Sequence, residues 1–254
     1  MARLRSEEEA VVHDPHDHFC AMLEVRPEGA GELTQLTGRA ALWNEKFWGT
    51  HRVLTVGFYG GSDPVRQRVV QFASGWTTTS ADIRLVFWTG QDVDPANADI
   101  RVSFVQDGRS WSYIGKDAWL PELKGQPTMN LGWLTEELPD EEARSVILHE
   151  FGHALGLIHE HQNPNKQIDW DKDAVSADLG GPPNNWDPDT IYNNMFKTYD
   201  PNAIFGTAVD PDSIMMYPIK ASWTKNGFSV GFNSQLSAND EALITTAYKQ
   251  TGLG

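Results

Sequence analysis

A single cysteine, Cys20, among 254 residues leaves no intrachain disulfide to staple the fold. No apolar run approaches the roughly 20 residues that a membrane-spanning helix requires. The opening stretch, Met1 to Arg5 followed by Ser6 and the acidic Glu7 to Glu9, lacks the apolar core of about 7–15 residues that marks a secretory leader. The chain therefore reads as cytoplasmic at synthesis. Positive charge is also short: 20 Lys and Arg stand against 35 Asp and Glu, a net charge of −15. That balance argues against nucleic acid or an anionic membrane surface as partner. It is compatible with steering basic peptides, although the acidic surface of a soluble protein is the simpler account. No internal repeat or low-complexity tract is present.

The length and a hydrophobic share of 40% suit one globular domain, divisible into two lobes. Residues 1–40 are acidic and weakly periodic, and read as an N-terminal extension or pro-segment ahead of a domain over 41–254. His13, His16, His18 and Cys20 cluster in this extension. Two readings stay open for them: a group that occupies a metal's open position elsewhere in the chain, or a tail whose histidines bind nothing specific.

From Leu42 onward, periodic signals strengthen. Residues 51–59 and 83–89 are rich in β-branched and aromatic side chains and predict strands. Residues 100–105 alternate strictly, which predicts a half-buried strand, and 128–133 predict a short fourth. Ser62, Asp63 and Pro64 predict an N-cap with proline in the first turn of a helix. That helix carries Val65, Val69, Phe72 and Ala73 at helical spacing and stops at Gly75. A second helix begins after Pro139 with Asp140, Glu141 and Glu142 in its first turn. Residues 162 to about 212 are rich in Gly, Pro, Asn and Asp and predict an irregular lobe; their acidic turns lack EF-hand spacing and read as solvated. Ser237 and Asp240 predict a capping box opening a last helix that ends near Gly252. The 10 tryptophans are scattered rather than clustered, which favours packing over carbohydrate contact.

The second helix carries the most specific pattern of the chain, H-E-x-x-H-x-x-G-x-x-H, with His149, Glu150, His153, Gly156 and His159 at the fixed positions. A random chain of this composition would contain it only about once in twenty thousand. Residues four apart share a helix face, so His149 and His153 can present two imidazoles to one ion. Glu150 lies one step round, beside the metal rather than on it, where a general base belongs. A third ligand six residues beyond His153 requires the helix to end, and Gly156 permits the positive φ that turns the chain back. Ala143, Ile147, Phe151, Ala154 and Leu155 form an apolar face from which the two histidines point away. Three neutral imidazoles with an open position describe a catalytic zinc rather than a closed structural one.

With Ser213, Met215 and Tyr217 downstream, the chain resembles the astacin-like branch of the metzincin zinc endopeptidases. The zinc string matches the family motif, Glu160 stands where astacins place a glutamate after the third histidine, and S-I-M-M-Y over 213–217 is similar to the astacin methionine turn. Weaker similarities lie at 112–115 and 236–240. The resemblance implies an α+β, metzincin-like fold. Its upper lobe, about 41–156, would hold a twisted mixed β-sheet and two long helices. Its lower lobe, about 157–254, would be irregular and closed by a helix, with the active-site cleft between them. It implies Zn2+ on His149, His153 and His159, Glu150 as catalytic base and acid, and Met215 as an apolar floor. It further implies Tyr217 as a switchable ligand that stabilises the oxyanion, and Glu160 as tether for an N-terminal segment. Substrate would pair with 128–133 as the edge strand. The expected activity is zinc-dependent hydrolysis of peptide bonds in a protein or peptide substrate, by a monomer with no nucleic-acid or membrane partner. The alternatives are a zinc-binding protein without peptidase activity, or a zymogen held latent by residues 1–40. Two departures stand out: the paired cysteines usual in the family are missing, and Met216 replaces the usual histidine of the turn. The family habit is secretion, which the missing leader does not reproduce.

Overall fold

The structure, a computed structural model, describes residues 21–23, 42–43, 46–49, 53–77, 81–90, 93–165, 168–182, 184–201, 204–205 and 209–249. His13, His16, His18, Cys20 and His51 lie outside the described residues.

Six strands form one sheet: β1 (Ala21–Leu23), β3 (Val53–Tyr59), β4 (Arg84–Trp88), β5 (Ile100–Ser103), β6 (Ser110–Tyr113) and β7 (Met129–Leu131), while β2 (Leu42–Trp43) pairs with β8 (Ile204–Phe205). The sheet order is β1-β6-β7-β5-β3-β4. β4, β3, β5 and β7 run parallel, and β6 turns antiparallel to β7 while β1 runs parallel to β6. The fold is thus a mixed-sheet α+β structure, as expected. Two expectations fail in detail. The stretch 128–133 does not form an edge, because β7 has β5 on one side and β6 on the other. β5 is buried at every position instead of half-buried, because it sits between β3 and β7. Its polar Arg101 survives there by donating to the carbonyls of Ala98, Ala118, Leu123 and Gln126, which tie the loops around the strand to its guanidinium.

Two long helices cover the sheet. α1 spans Asp63–Ala73 and packs on α2, Asp140–Ala154. Ser62 occupies the cap position of α1, yet its hydroxyl donates to Glu136 at 2.5 Å rather than capping. Buried Val69, Phe72, Ala73, Ile147 and Phe151 join β-strand residues Leu54, Val56 and Val102 in the larger core. Trp48, Trp76 and Trp223 are buried, in keeping with packing, while Trp119 is about half exposed at 48%.

A second, smaller core gathers Val175 and Leu179 of α3 (Lys172–Leu179), Ile191 of α4 (Pro188–Ile191) and Met195, with Met216, Tyr217, Ile219 and Trp223. The 162–212 stretch is therefore less irregular than its composition predicts. Asp171 and Asp187 each cap a helix there by accepting from the backbone of Ala174 and Thr190. The two cores meet at consecutive residues: Ile214 and Met215 belong to the larger, Met216 and Tyr217 to the smaller. The last helix, α5 (Ala238–Ala247), opens on the expected capping box of Ser237 and Asp240 and ends earlier than Gly252. No described helix is long and apolar enough to cross a membrane.

Candidate metal centre

α2 ends in a tight reversal. The Gly156 amide donates to His153 and the Leu157 amide to Gly152, while Gly156 takes φ +100°. This pair of bonds around a glycine is the Schellman arrangement, which consumes carbonyls that a helix end leaves without partners. Two more are consumed from outside. The Trp48 indole donates to the Ala154 carbonyl at 2.8 Å, and the Tyr248 hydroxyl to that of Leu155 at 2.8 Å. The reversal carries His159 back towards its helical partners.

One ring nitrogen of each of His149, His153 and His159 lies within 4.8 Å of the others, and all three rings are buried. His149 Nδ1 is 2.8 Å from the Ile214 carbonyl and His153 Nδ1 is 2.9 Å from that of Leu157. A carbonyl only accepts, so both Nδ1 atoms carry the proton and both Nε2 lone pairs face inward. His153 Nε2 and His159 Nε2 stand 3.1 Å apart. Two nitrogens on a tetrahedral zinc, each about 2.05 Å from it, would be about 3.3 Å apart. Burial holds the His149 imidazole down at about 4 and pushes His153 and His159 well below the usual range, the neighbouring imidazoles adding to the effect. The rings are neutral at pH 7, the state that binds a metal. Donor type, spacing, tautomer and charge all fit zinc.

Glu150 is fully buried and, with His149 and Tyr217, lines a cavity whose other walls include Trp133, Glu142, Val146, Ile214 and Phe232. The Tyr217 ring lies 4.2 Å from that of His159 and 6.0 Å from that of His149. Met215 packs beneath the helix and against Gly152. Glu160 is buried with its carboxylate accepting from the Asp210 amide and from Asn163, and burial raises it to about 8.

The structure thus gathers His149, Glu150, His153, His159 and Tyr217 in one place. Sequence reasoning missed the carbonyls of Ile214 and Leu157, which carry no side-chain signal. It also missed His161, whose buried ring lies 4.7 Å from Tyr217 while its Nε2 meets the Asn194 carbonyl at 2.6 Å. Asp240, expected in the capping box, also accepts from Ser213 Oγ and the Ile214 amide, fixing the turn beneath the metal site.

Two helical histidines, a third beyond a glycine reversal and a methionine turn beneath them define a metzincin-type zinc metallopeptidase. The family model of the Astacin peptidases matches residues 91–249, and the chain belongs to that family. A solved structure of myroilysin is 41% identical, with a TM-score of 0.76 over 84% of this chain and 100% of its own. A second myroilysin structure, at 36% identity and a TM-score of 0.58, covers 98% of this chain and 99% of its own. High choriolytic enzyme 1, a hatching-enzyme zinc protease from Oryzias latipes (medaka fish), shares the fold at 18% identity and a TM-score of 0.53, over 81% of this chain and 96% of its own. No curated protein matches the chain. The chain is a zinc-dependent metalloendopeptidase.

Proposed function

We propose that His149, His153 and His159 hold the zinc, with Glu150 as catalytic base and acid and Tyr217 as the residue that meets the oxyanion. The observation that carries this reading is the convergence of three buried, neutral imidazoles, one of which, His149, lines a cavity together with Glu150 and Tyr217. Bound there, zinc supplies Lewis-acid chemistry, polarising a scissile carbonyl and making a water acidic near pH 7. Glu150 takes a proton from that water as its oxygen attacks the carbonyl carbon. The carboxyl then gives the proton to the departing amine nitrogen as the C–N bond breaks, which restores the carboxylate. Tyr217, on the same cavity wall as His149 and Glu150, would be a further ligand to the zinc and would offer its hydroxyl as hydrogen-bond donor to the oxyanion. The Ile214 and Leu157 carbonyls hold the imidazole planes throughout.

In the test, Glu150→Ala retains zinc by metal analysis and loses about a hundred- to ten-thousand-fold in casein turnover. Unchanged turnover would overturn the assignment of Glu150. Zinc content without chelator-sensitive cleavage by the unaltered protein would favour a zinc-binding protein instead.

A second reading, latency conferred by residues 1–40, is favoured by one observation. β1 pairs in parallel with β6, so backbone from the extension takes the sheet edge that an extended peptide would otherwise use. Removal of residues 1–40 raises turnover if the extension blocks the cleft, and leaves it unaltered if it does not.

A further inference from the structure

The cavity beside the metal centre contains more than the groups that break the bond. Its walls are mostly apolar and aromatic: Trp133, Val146, Ile214, Met216 and Phe232. Beyond the groups that act on the bond, the polar lining is Ser145, Asn233 and Glu142, of which only Glu142 carries a charge. It lies seven residues before His149 on the same helix, hence two turns or about 10 Å along the axis, and on the same face. Its side chain is half-buried. Among the described residues no lysine or arginine lines the cavity. Ser145, one helix turn from Glu142, spends its hydroxyl on the Asn233 carbonyl at 2.7 Å, so it does not neutralise the carboxylate.

We propose that this cavity is the pocket for a substrate side chain next to the scissile bond, and that Glu142 selects a long residue with an apolar stem and a cationic end, lysine or arginine. The inference rests on the peptidase reading above. The chemistry follows from the layout. A side chain entering beside Glu150 first meets aliphatic and aromatic walls, which suit a methylene stem and, for arginine, stacking on an indole or phenyl face. Glu150 at the entrance is taken up by the reaction, and the second carboxylate, Glu142, lies two helix turns further on, so a short polar or small apolar residue leaves it unused. An acidic residue would place like charges together in a poorly hydrated space. A role for Glu142 in helix stability alone, as first-turn acid of α2, makes no demand on substrate.

The experiment maps cleavage sites in a peptide library with the zinc-loaded full chain and with Glu142→Gln and Glu142→Lys. It then measures kcat/KM on matched peptides carrying Lys or Leu at the mapped position. The unaltered chain prefers Lys. Glu142→Gln lowers the Lys/Leu ratio about tenfold, the worth of one partly desolvated charge-assisted contact. Glu142→Lys turns the preference towards Asp and Glu. Cleavage with the same Lys/Leu ratio in all three proteins overturns the assignment of Glu142 while leaving the peptidase reading intact. Absence of any cleavage by the unaltered chain overturns both.

Discussion

Gly152 and Met215 approach so closely that a Cβ built on Gly152 would stand 2.3 Å from the Met215 sulfur. The glycine lies between the second and third fixed positions of the zinc string, where the motif itself makes no demand. Its hydrogen lets the methionine turn press flat against the helix that carries His149 and His153. The same Cβ would lie 3.1 Å from the Trp76 ring, and both Trp76 and Met215 are buried in the core.

Gly152→Ala therefore forces the two elements apart, despite the better helix propensity of alanine. Overpacking of a filled core costs about 1–3 kcal/mol, more than the roughly 1 kcal/mol that alanine gains over glycine inside a helix. Thermal melts of the zinc-depleted variant show a lower midpoint, and zinc titration shows weaker binding, because the Ile214 carbonyl that orients His149 moves with Met215. An unchanged midpoint and affinity would show that the turn yields freely.

Asp240 supports the same turn from the opposite side. One carboxylate oxygen accepts from Ser213 Oγ at 2.7 Å, and the other from the Ile214 amide and the Ser237 amide, both at 2.9 Å. Asp240→Asn preserves size but sets an NH2 either against the Ser213 hydroxyl or against the two backbone amides, where the aspartate offered an acceptor. In both orientations a buried donor loses its partner, at a cost of about 1–3 kcal/mol. Ser237→Ala removes only the helix cap, about 1 kcal/mol. Denaturant melts order the two variants accordingly, and only Asp240→Asn also weakens zinc binding. Equal losses in both would reduce Asp240 to a helix cap.

The metal string and the methionine turn were legible because ligand chemistry fixes both residue type and spacing. His149, His153 and Gly156 could be placed on a helix and its reversal before any fold was known. The capping box at Ser237 was legible for a similar reason, being local. β6 was not. Ser110 to Tyr113 has no long apolar run, and its place in the sheet is set by pairing with β7, from residues 129–131. The alternation of β5 misled, since Arg101 and Ser103 look solvent-facing until distant carbonyls and Asn130 satisfy them. Carbonyl partners such as Ile214 are invisible in any sequence, because every residue has one.

Acid and base act on the apoprotein with opposite signs. Burial holds His149 and His161 at about 4 and pushes His153 and His159 well below the 6.5 of an exposed imidazole. Between pH 4 and about 6.5 the unfolded chain binds more protons at these four positions. Their contribution is complete above about 6.5 and is lost as pH falls. Glu160 works the other way: burial raises it to about 8 from 4.5, so its contribution is complete below 4.5 and is lost as pH rises towards 8. Four imidazoles outweigh one carboxyl in the acid window, each contributing a slope of up to about 1.4 kcal/mol per pH unit. Melts of the zinc-depleted protein accordingly show stability rising steeply from pH 4 to about 6.5, then declining gently towards 8. Glu160→Gln abolishes the decline and leaves the acid limb. Bound zinc requires neutral imidazoles, so the folded, loaded protein yields its metal to protons only as pH falls to about 4, at the foot of that limb. A flat profile from pH 4 to 6.5 would mean that the imidazoles already meet water in the folded state.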